Sequence, residues 1–206
     1  MSSADARDVP RLEALPFRVP DLTSPVDVDA LIALGPPAGL VKGMFFAMIQ
    51  QRVREAGAGH VGRDRYVAFR GYPLEEWLRF LPEAADRAHP RLPTREGMRR
   101  FGQAAFETFE TSVPGRVLFS LAGRNPMGVT RAAGRAFTAI ASHGRVEVEV
   151  ADEGRAVLRY LDMWDYLESW HVGVVEGAAA AIGHVPALRV RMADHCHGEI
   201  EIRWST

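Results

Sequence analysis

Apolar side chains up to about residue 140 recur at intervals of three and four residues. This is the period of an amphipathic helix that turns one face to a core. Pro82 is expected to bend or split one of these helices. The predicted helices cover residues 26–34, 40–56, 73–89, 94–113, 116–121 and 126–140.

From Gly144 onward the apolar period becomes that of a strand. Val146, Val148 and Val150 alternate with glutamates, which predicts a strand buried on one face. Three more strands and one helix follow, so the pattern predicts an α+β fold. A helical N-terminal half precedes an antiparallel β-β-α-β-β sheet unit. Its predicted elements are strands over 144–152, 156–162, 187–192 and 199–204, and a helix over 165–183.

The outward positions of these strands carry opposite charges on neighbouring strands. Glu147 and Glu149 lie on one strand, Arg189 and Arg191 on another, and Glu199 and Glu201 on a third. Cross-strand pairs of this kind contribute a few tenths of a kcal/mol each. We therefore expect this face of the sheet to lie in water.

Length and composition predict one domain with a leader. Residues 1–25 carry four prolines and no apolar period, so they are expected to form an extended leader. Residues 26–206 are expected to form a single α+β domain, since a chain of 206 residues can bury a substantial core.

Charge and cysteine content exclude several classes of function. The net charge is −1 and no basic block is present, which argues against nucleic acid as a partner. The one cysteine cannot form an intramolecular disulfide, and this is typical of a reducing compartment. No apolar segment has the length of a signal peptide core or of a membrane span. We therefore expect a cytoplasmic protein.

The densest group of side chains that could bind a metal is His195, Cys196 and His197, in the turn before the last strand. Imidazole and thiolate are ligands for Zn²⁺, but adjacent residues do not all face one ion. A second pair of ligands at a short spacing is missing. The preferred interpretation is a polar turn with one half-buried thiol, and a metal is the weaker alternative.

Two glycines lie four residues apart in the helix over 165–183. Gly173 and Gly177 share a face beside Trp170, and each glycine weakens a helix by roughly 1 kcal/mol relative to alanine. Missing side chains let a neighbouring element or a ligand approach the backbone. The preferred interpretation is close packing of this helix on the sheet, and the alternative is the wall of a ligand pocket.

A second candidate wall is formed by large apolar side chains on the helices over 40–56 and 94–113. At helical spacing such a set is usually core, and the alternative is an apolar ligand cavity. With Trp170, Gly173 and Gly177, the candidate ligand-binding residues in these helices are Met44, Phe45, Met48, Phe101 and Phe106.

Known catalytic motifs are missing from the sequence. There is no phosphate-binding glycine loop, no nucleophile elbow and no zinc-protease helix motif. The sequence therefore predicts neither an enzyme nor a bound cofactor.

Several stretches together resemble domain-of-unknown-function family 2378, whose members occur in many copies in myxobacteria. The resemblance covers roughly residues 40–204 and implies little about activity. The resemblance rests on the segments 42–46, 66–69, 72–74, 95–102, 173–177 and 200–204, together with Cys196.

More remotely, the layout resembles the superfamily of haem-nitric-oxide-binding and vinyl-reductase-like sensory domains. This likeness implies a small or hydrophobic ligand between the helices and the sheet. The haem-binding members carry a proximal histidine before the sheet, and the stretch 126–140 has none. Their Tyr-x-Ser-x-Arg motif is replaced here by residues 160–164, and only Cys196 could match the zinc-binding cysteines of the other members. Haem and zinc are therefore not expected.

These observations lead to two hypotheses. The first is a non-enzymatic, ligand-binding or sensory domain with a regulatory or signalling role. It would hold an apolar small molecule between the helices over 40–56 and 94–113 and the sheet. The alternative is a protein–protein interaction module whose core is filled by its own side chains. An enclosed cavity lined by the candidate residues would favour the first.

Overall fold

The computed structural model describes residues 12–123, 125–152 and 154–204. Residues 1–11 of the expected leader lie outside this range. The helices are α1 (Val28–Ala33), α2 (Gly43–Glu55), α3 (Leu74–Ala88), α4 (Thr94–Glu110), α5 (Val113–Ala122), α6 (Pro126–Ile140) and α7 (Val172–Ala181). The strands are β1 (Leu40–Lys42), β2 (Gly71–Pro73), β3 (Arg145–Asp152), β4 (Arg155–Leu161), β5 (Ala187–Met192) and β6 (Gly198–Arg203).

The main sheet confirms the predicted antiparallel β-β-α-β-β unit and the α+β class. Its four strands lie in the order β3-β4-β6-β5, and every neighbouring pair is antiparallel. The helical half comes first, as the period of its apolar residues indicates. β1 and β2 pair as a separate two-stranded sheet. β1 lies directly before α2 and β2 directly before α3, so these strands include the first residues of the helices predicted over 40–56 and 73–89.

Pro82 does not split α3, which is continuous from Leu74 to Ala88. A proline inside a helix has no N–H, so it leaves the carbonyl four residues earlier without its helical partner. Here that carbonyl belongs to Leu78, and it accepts a hydrogen bond from the hydroxyl of Tyr166. A side chain distant in sequence therefore replaces the bond that the proline removes.

The helix predicted over 165–183 begins later and is irregular at its start. Leu167–His171 is a π-helical turn, and α7 follows from Val172. Tyr166 precedes the turn with a φ of 62°, and Asp162 has a φ of 53°. Non-glycine residues adopt this left-handed conformation rarely, and it is most frequent at turns and functional sites.

Only part of the charged face of the sheet lies in water, which corrects the expectation from the sequence. Glu147, Glu149 and Arg189 are exposed, but the glutamates of β6 are buried. The opposite charges do pair, since Glu199 contacts Arg159 at 2.9 Å and Arg191 at 2.6 Å. However, Glu199 is fully buried and Glu201 is only 2% exposed. Residues 12–18 cause this burial, because they lie across β5 and form a backbone bridge to Val190.

The core consists of two clusters of buried side chains. One fills the helical half around aromatic rings, among them Phe46, Tyr66 and Trp77. The other lies between the sheet, α6 and α7, and includes Phe137 and Leu158. No helix among the described residues has the length and apolar character needed to span a membrane.

Candidate functional site

A cavity of about 140 Å³ lies at the boundary between the two core clusters. Helices α4, α5, α6 and α7 surround it on one side, and one face of the sheet closes the other. The sheet contributes alternate residues of its strands, as the strand period requires. These sheet residues are Val146 of β3, Leu158 and Tyr160 of β4, and Ile202 of β6.

Small side chains on α6 and α7 leave the cavity open. Ala133 and Ala136 of α6 share a face with Phe137, and Ala178 and Ala179 of α7 lie opposite the sheet. Large rings close the remaining sides. They are Phe106 and Phe109 of α4, Phe119 of α5 and Phe45 of α2, together with Trp77 and Trp170.

One corner of this apolar cavity is polar. Tyr160, Asp165 and His171 line it, and each is at least nine-tenths buried. The Nε2 atom of His171 lies 2.9 Å from Oδ1 of Asp165. His143, which is also buried, places its own Nε2 atom 3.3 Å from the same oxygen. Two imidazoles therefore share one buried carboxylate beside the cavity.

Burial and the two histidines determine the protonation states of Asp165 and Tyr160 in this corner. Burial by itself would raise the pKa of Asp165, but the charges and hydrogen bonds of His171 and His143 outweigh it and lower that pKa. Burial, reinforced by the negative charge of Asp165, raises the pKa of Tyr160. The carboxyl group is therefore ionised and the tyrosine keeps its proton at neutral pH.

Three of the eight predicted ligand-binding residues line the cavity. Phe45, Phe106 and Trp170 do so. Met44 and Phe101 are buried in the aromatic cluster instead, and Met48 packs against that cluster half-buried. The cavity lies nearer to α6 than the sequence indicated, and α2 contributes Phe45 alone among the described lining residues.

Gly173 and Gly177, the other two, pack against α4 and not against the sheet or the cavity. A Cβ atom on Gly173 would collide with the carbonyl of Arg99, and one on Gly177 with the carbonyl of Gln103. Gly102 of α4 faces the carbonyl of Trp170 in the same way. The expectation of close packing was right, but the partner is a helix.

The residues of the polar corner and the wall from α6 were missed by the sequence reasoning. Tyr160 has the strand pattern of a core residue, and Asp165 was assigned to a helix start. The signal that could have identified Asp165 is its position among the aromatic and apolar residues of the segment 160–170. A carboxylate in such surroundings requires a partner, but the sequence does not show that His143 is one of them.

The predicted weak metal candidates lie in the turn between β5 and β6. Ligand atoms of Cys196 and His197 approach a carboxylate oxygen of Asp162, all within 4.8 Å. Ligand atoms of Asp194, His195 and Cys196 form a second group of this kind, and the ring of His195 also lies against Trp164, with 4.4 Å between the ring centres. The carboxylate of Asp194 accepts hydrogen bonds from the backbone N–H groups of Cys196 and His197, which stabilises the turn. That this turn binds no zinc stays a prediction.

Comparison with known proteins gives a family and a fold. The sequence profile of the family described as "Protein of unknown function (DUF2378)" matches residues 37–205. No curated protein matches the chain significantly in sequence.

Solved structures similar to this fold include several H-NOX proteins. The Fe(II) unliganded H-NOX protein from K. algicida has 12% identity and a TM-score of 0.59, covering 80% of this chain and 97% of its own. The H-NOX protein from S. oneidensis in the Fe(II)NO state has 19% identity and a TM-score of 0.55, covering 80% and 99%. An oxygen-binding H-NOX domain related to soluble guanylate cyclases has 12% identity and a TM-score of 0.55, covering 80% and 95%.

The wall that α6 contributes does not fit the haem that this fold implies. It has no histidine, cysteine or tyrosine, and its lining residues are Pro126, Val129, Thr130, Ala133, Ala136, Phe137 and Ile140. Of the two histidines elsewhere in the lining, His171 is paired with Asp165 and His184 follows α7. The described lining includes no lysine or arginine to neutralise the two carboxylates of a haem. A space of about 140 Å³ is that of a single ring, not of a macrocycle of four.

Proposed function

We propose that this chain, which belongs to the DUF2378 family and has a fold similar to that of H-NOX domains, is a haem-free sensory domain for an apolar small molecule. The molecule would bind in the cavity between α4–α7 and the sheet. The observation that carries the proposal is the cavity itself, whose lining is almost wholly apolar. An engineered apolar cavity of similar size, about 150 Å³, binds benzene, so one ring is the size we expect.

The cavity also argues against the alternative of a fully packed interaction module. In the aromatic cluster the rings of Phe46, Tyr66 and Trp77 lie within 4.4 to 4.9 Å of a neighbouring ring. Protein interiors are normally packed in this way throughout. The cavity lined by alanines and by Phe106 is not packed in this way. A binding site for a small molecule would explain why the space is not filled by side chains.

A regulatory role follows from where the cavity lies. A ligand there would touch α4, α5 and α6 on one side and β4 and β6 on the other. It can change the arrangement of the helices relative to the sheet if it binds one arrangement more tightly than another.

The test is benzene binding by the full chain and by two alanine variants of α6. Ala133 lines the cavity, whereas Ala139 is exposed on the same helix. Replacing Ala133 by Leu fills part of the space, and Ala139→Leu adds the same side chain elsewhere. We expect benzene to raise the melting temperature of the wild type and of Ala139→Leu, but not of Ala133→Leu.

Native mass spectrometry of the three proteins gives an independent measurement. A small molecule that co-purifies with the wild type and Ala139→Leu, and is lost in Ala133→Leu, would support the proposal. Equal benzene stabilisation of all three proteins, or of none, would contradict it. A chain that retains stoichiometric haem would contradict the haem-free assignment.

A further inference from the structure

We propose that the cavity ligand carries one neutral hydrogen-bond acceptor, a carbonyl or ether oxygen, and that the hydroxyl of Tyr160 donates to it. This inference rests on the proposed function, since it specifies the chemistry of the molecule that the same cavity would hold. It assigns Tyr160 as the residue that orients the ligand.

Tyr160 differs from the other three tyrosines of the chain. The hydroxyl of Tyr66 donates to Glu76, that of Tyr72 accepts from the backbone N–H of Val67, and that of Tyr166 donates to a backbone carbonyl. The hydroxyl of Tyr160 has no hydrogen-bond partner among the described residues, although its side chain is only 3% exposed. A buried polar group without a partner costs about 1–3 kcal/mol, so buried hydroxyls normally have one.

The position of Tyr160 gives its hydroxyl access to a ligand. The residue lies on β4, and its side chain lines the cavity beside His171, whose ring centre is 5.2 Å away. The neighbouring imidazoles of His171 and His143 each direct one nitrogen, Nε2, at Asp165. A ligand oxygen in this corner would give the hydroxyl of Tyr160 the hydrogen-bond partner that it lacks among the described residues.

The charges around the corner favour a neutral ligand group over a carboxylate. Tyr160 keeps its proton, because burial and the charge of Asp165 raise its pKa, so it is a donor. An anionic ligand would lie beside the carboxylate of Asp165, towards which His171 and His143 already direct their Nε2 atoms. The described lining offers no lysine or arginine to pair with a second anion. A ketone, aldehyde or ether on a single ring matches these conditions.

The experiment compares three probes of similar shape on the full chain. Acetophenone carries a carbonyl, α-methylstyrene has a methylene group in place of the carbonyl oxygen, and benzoate carries a carboxylate. We expect the wild type to bind acetophenone about tenfold more tightly than α-methylstyrene, the value of one hydrogen bond that also satisfies a buried donor. Benzoate should bind more weakly than either probe. Calorimetric or NMR titration measures the three affinities.

Tyr160→Phe removes the hydroxyl and keeps the ring, and Tyr72→Phe removes a hydroxyl that does not line the cavity. The preference for acetophenone should vanish in Tyr160→Phe and persist in Tyr72→Phe, while α-methylstyrene binds all three proteins equally. The infrared carbonyl band of bound acetophenone should lie at lower frequency in the wild type than in Tyr160→Phe. That shift is a readout that does not depend on the stability of the variant.

The possible results separate this inference from the proposed function. If the probes bind but acetophenone has no advantage, or keeps it in Tyr160→Phe, the assignment of Tyr160 is overturned and the cavity function stands. Benzoate binding as tight as that of acetophenone would overturn the neutral-ligand assignment. If none of the probes binds the wild type, the proposed function and this inference fail together.

Discussion

The two faces of α7 show the same kind of residue used for opposite purposes. On one face Gly173 and Gly177 bring the helix backbone against α4, so closely that a Cβ atom would collide with a carbonyl group. On the other face Val174 and Ala178 border the open cavity. Both faces are built from small or medium side chains, yet one is closed and the other is open.

The difference comes from what lies opposite. α4 presents Gly102 at the contact with α7, so the two backbones interlock and no space is left. On the cavity side, α6 presents Ala133 and Ala136, and the bulky rings of Phe106 and Phe119 line the same space. Small residues therefore allow either close contact or empty space, and the neighbouring element decides which one forms.

The largest effect is expected from Asp165, because the cavity side depends on a buried carboxylate. Asp165→Asn leaves two buried imidazoles without their anion, and breaking a buried pair in this way costs about 3–5 kcal/mol. Chemical denaturation should show this loss of unfolding free energy. The control is Asp162→Asn in the same loop, which is partly exposed and should change stability by less than about 0.5 kcal/mol. Equal effects at both positions would contradict the assigned role of Asp165.

Acid should remove the same contribution from the wild type. The pKa of Asp165 is lowered on folding, so its carboxylate stabilises the fold above the unfolded value of about 3.9. That stability is lost as the pH falls below this value. The contribution of this carboxylate to the difference in unfolding free energy between wild type and Asp165→Asn should therefore shrink as the pH falls below about 4. A difference that grows in acid would have the wrong sign and would refute the argument.

The comparison between the faces of α7 is tested directly by leucine at two adjacent positions. Gly177→Leu places a side chain into the α4 backbone, and overpacking of this kind costs about 1–3 kcal/mol. The melting temperature should fall by about 2–4 °C for each kcal/mol lost. Ala178→Leu, which points into the cavity, should change stability by less than about 1 kcal/mol and abolish benzene binding. Two equally destabilised variants would show that the cavity side is closed as well.

A smaller effect is expected from the ion pair at the edge of the glycine contact. The guanidinium of Arg99 holds Glu176 through two hydrogen bonds of 2.7 and 2.8 Å. Both side chains keep about a quarter of their exposure, so Glu176→Gln should cost only about 0.5–1 kcal/mol in thermal or chemical denaturation. Glu107→Gln, on an exposed position of α4, is the control. Benzene affinity should not change, since this face is separate from the cavity.

The sequence by itself determined the order and type of most elements. The period of apolar residues fixes which face of a helix or strand is buried, and it gave the α+β class and the ββαββ unit. Gly173 and Gly177 also indicated a close approach, because a helix accepts two such residues only where a side chain has no room. The local pattern failed at two places, and Tyr166 is involved in both. At Pro82 the hydroxyl of Tyr166 replaces the hydrogen bond that the proline removes. Just before α7, the left-handed backbone of Tyr166 precedes a π-helical turn in place of the expected start of an α-helix.

Only the tertiary structure decided what each face meets. Periodicity cannot tell that the glycines contact α4 and not the sheet, or that residues 12–18 bury Glu199 and Glu201. It also cannot place His143 beside Asp165 and His171, because His143 comes from a separate segment of the chain. The cavity is the clearest case. An empty space has no sequence signal of its own, since it depends on the distance at which the surrounding elements hold one another.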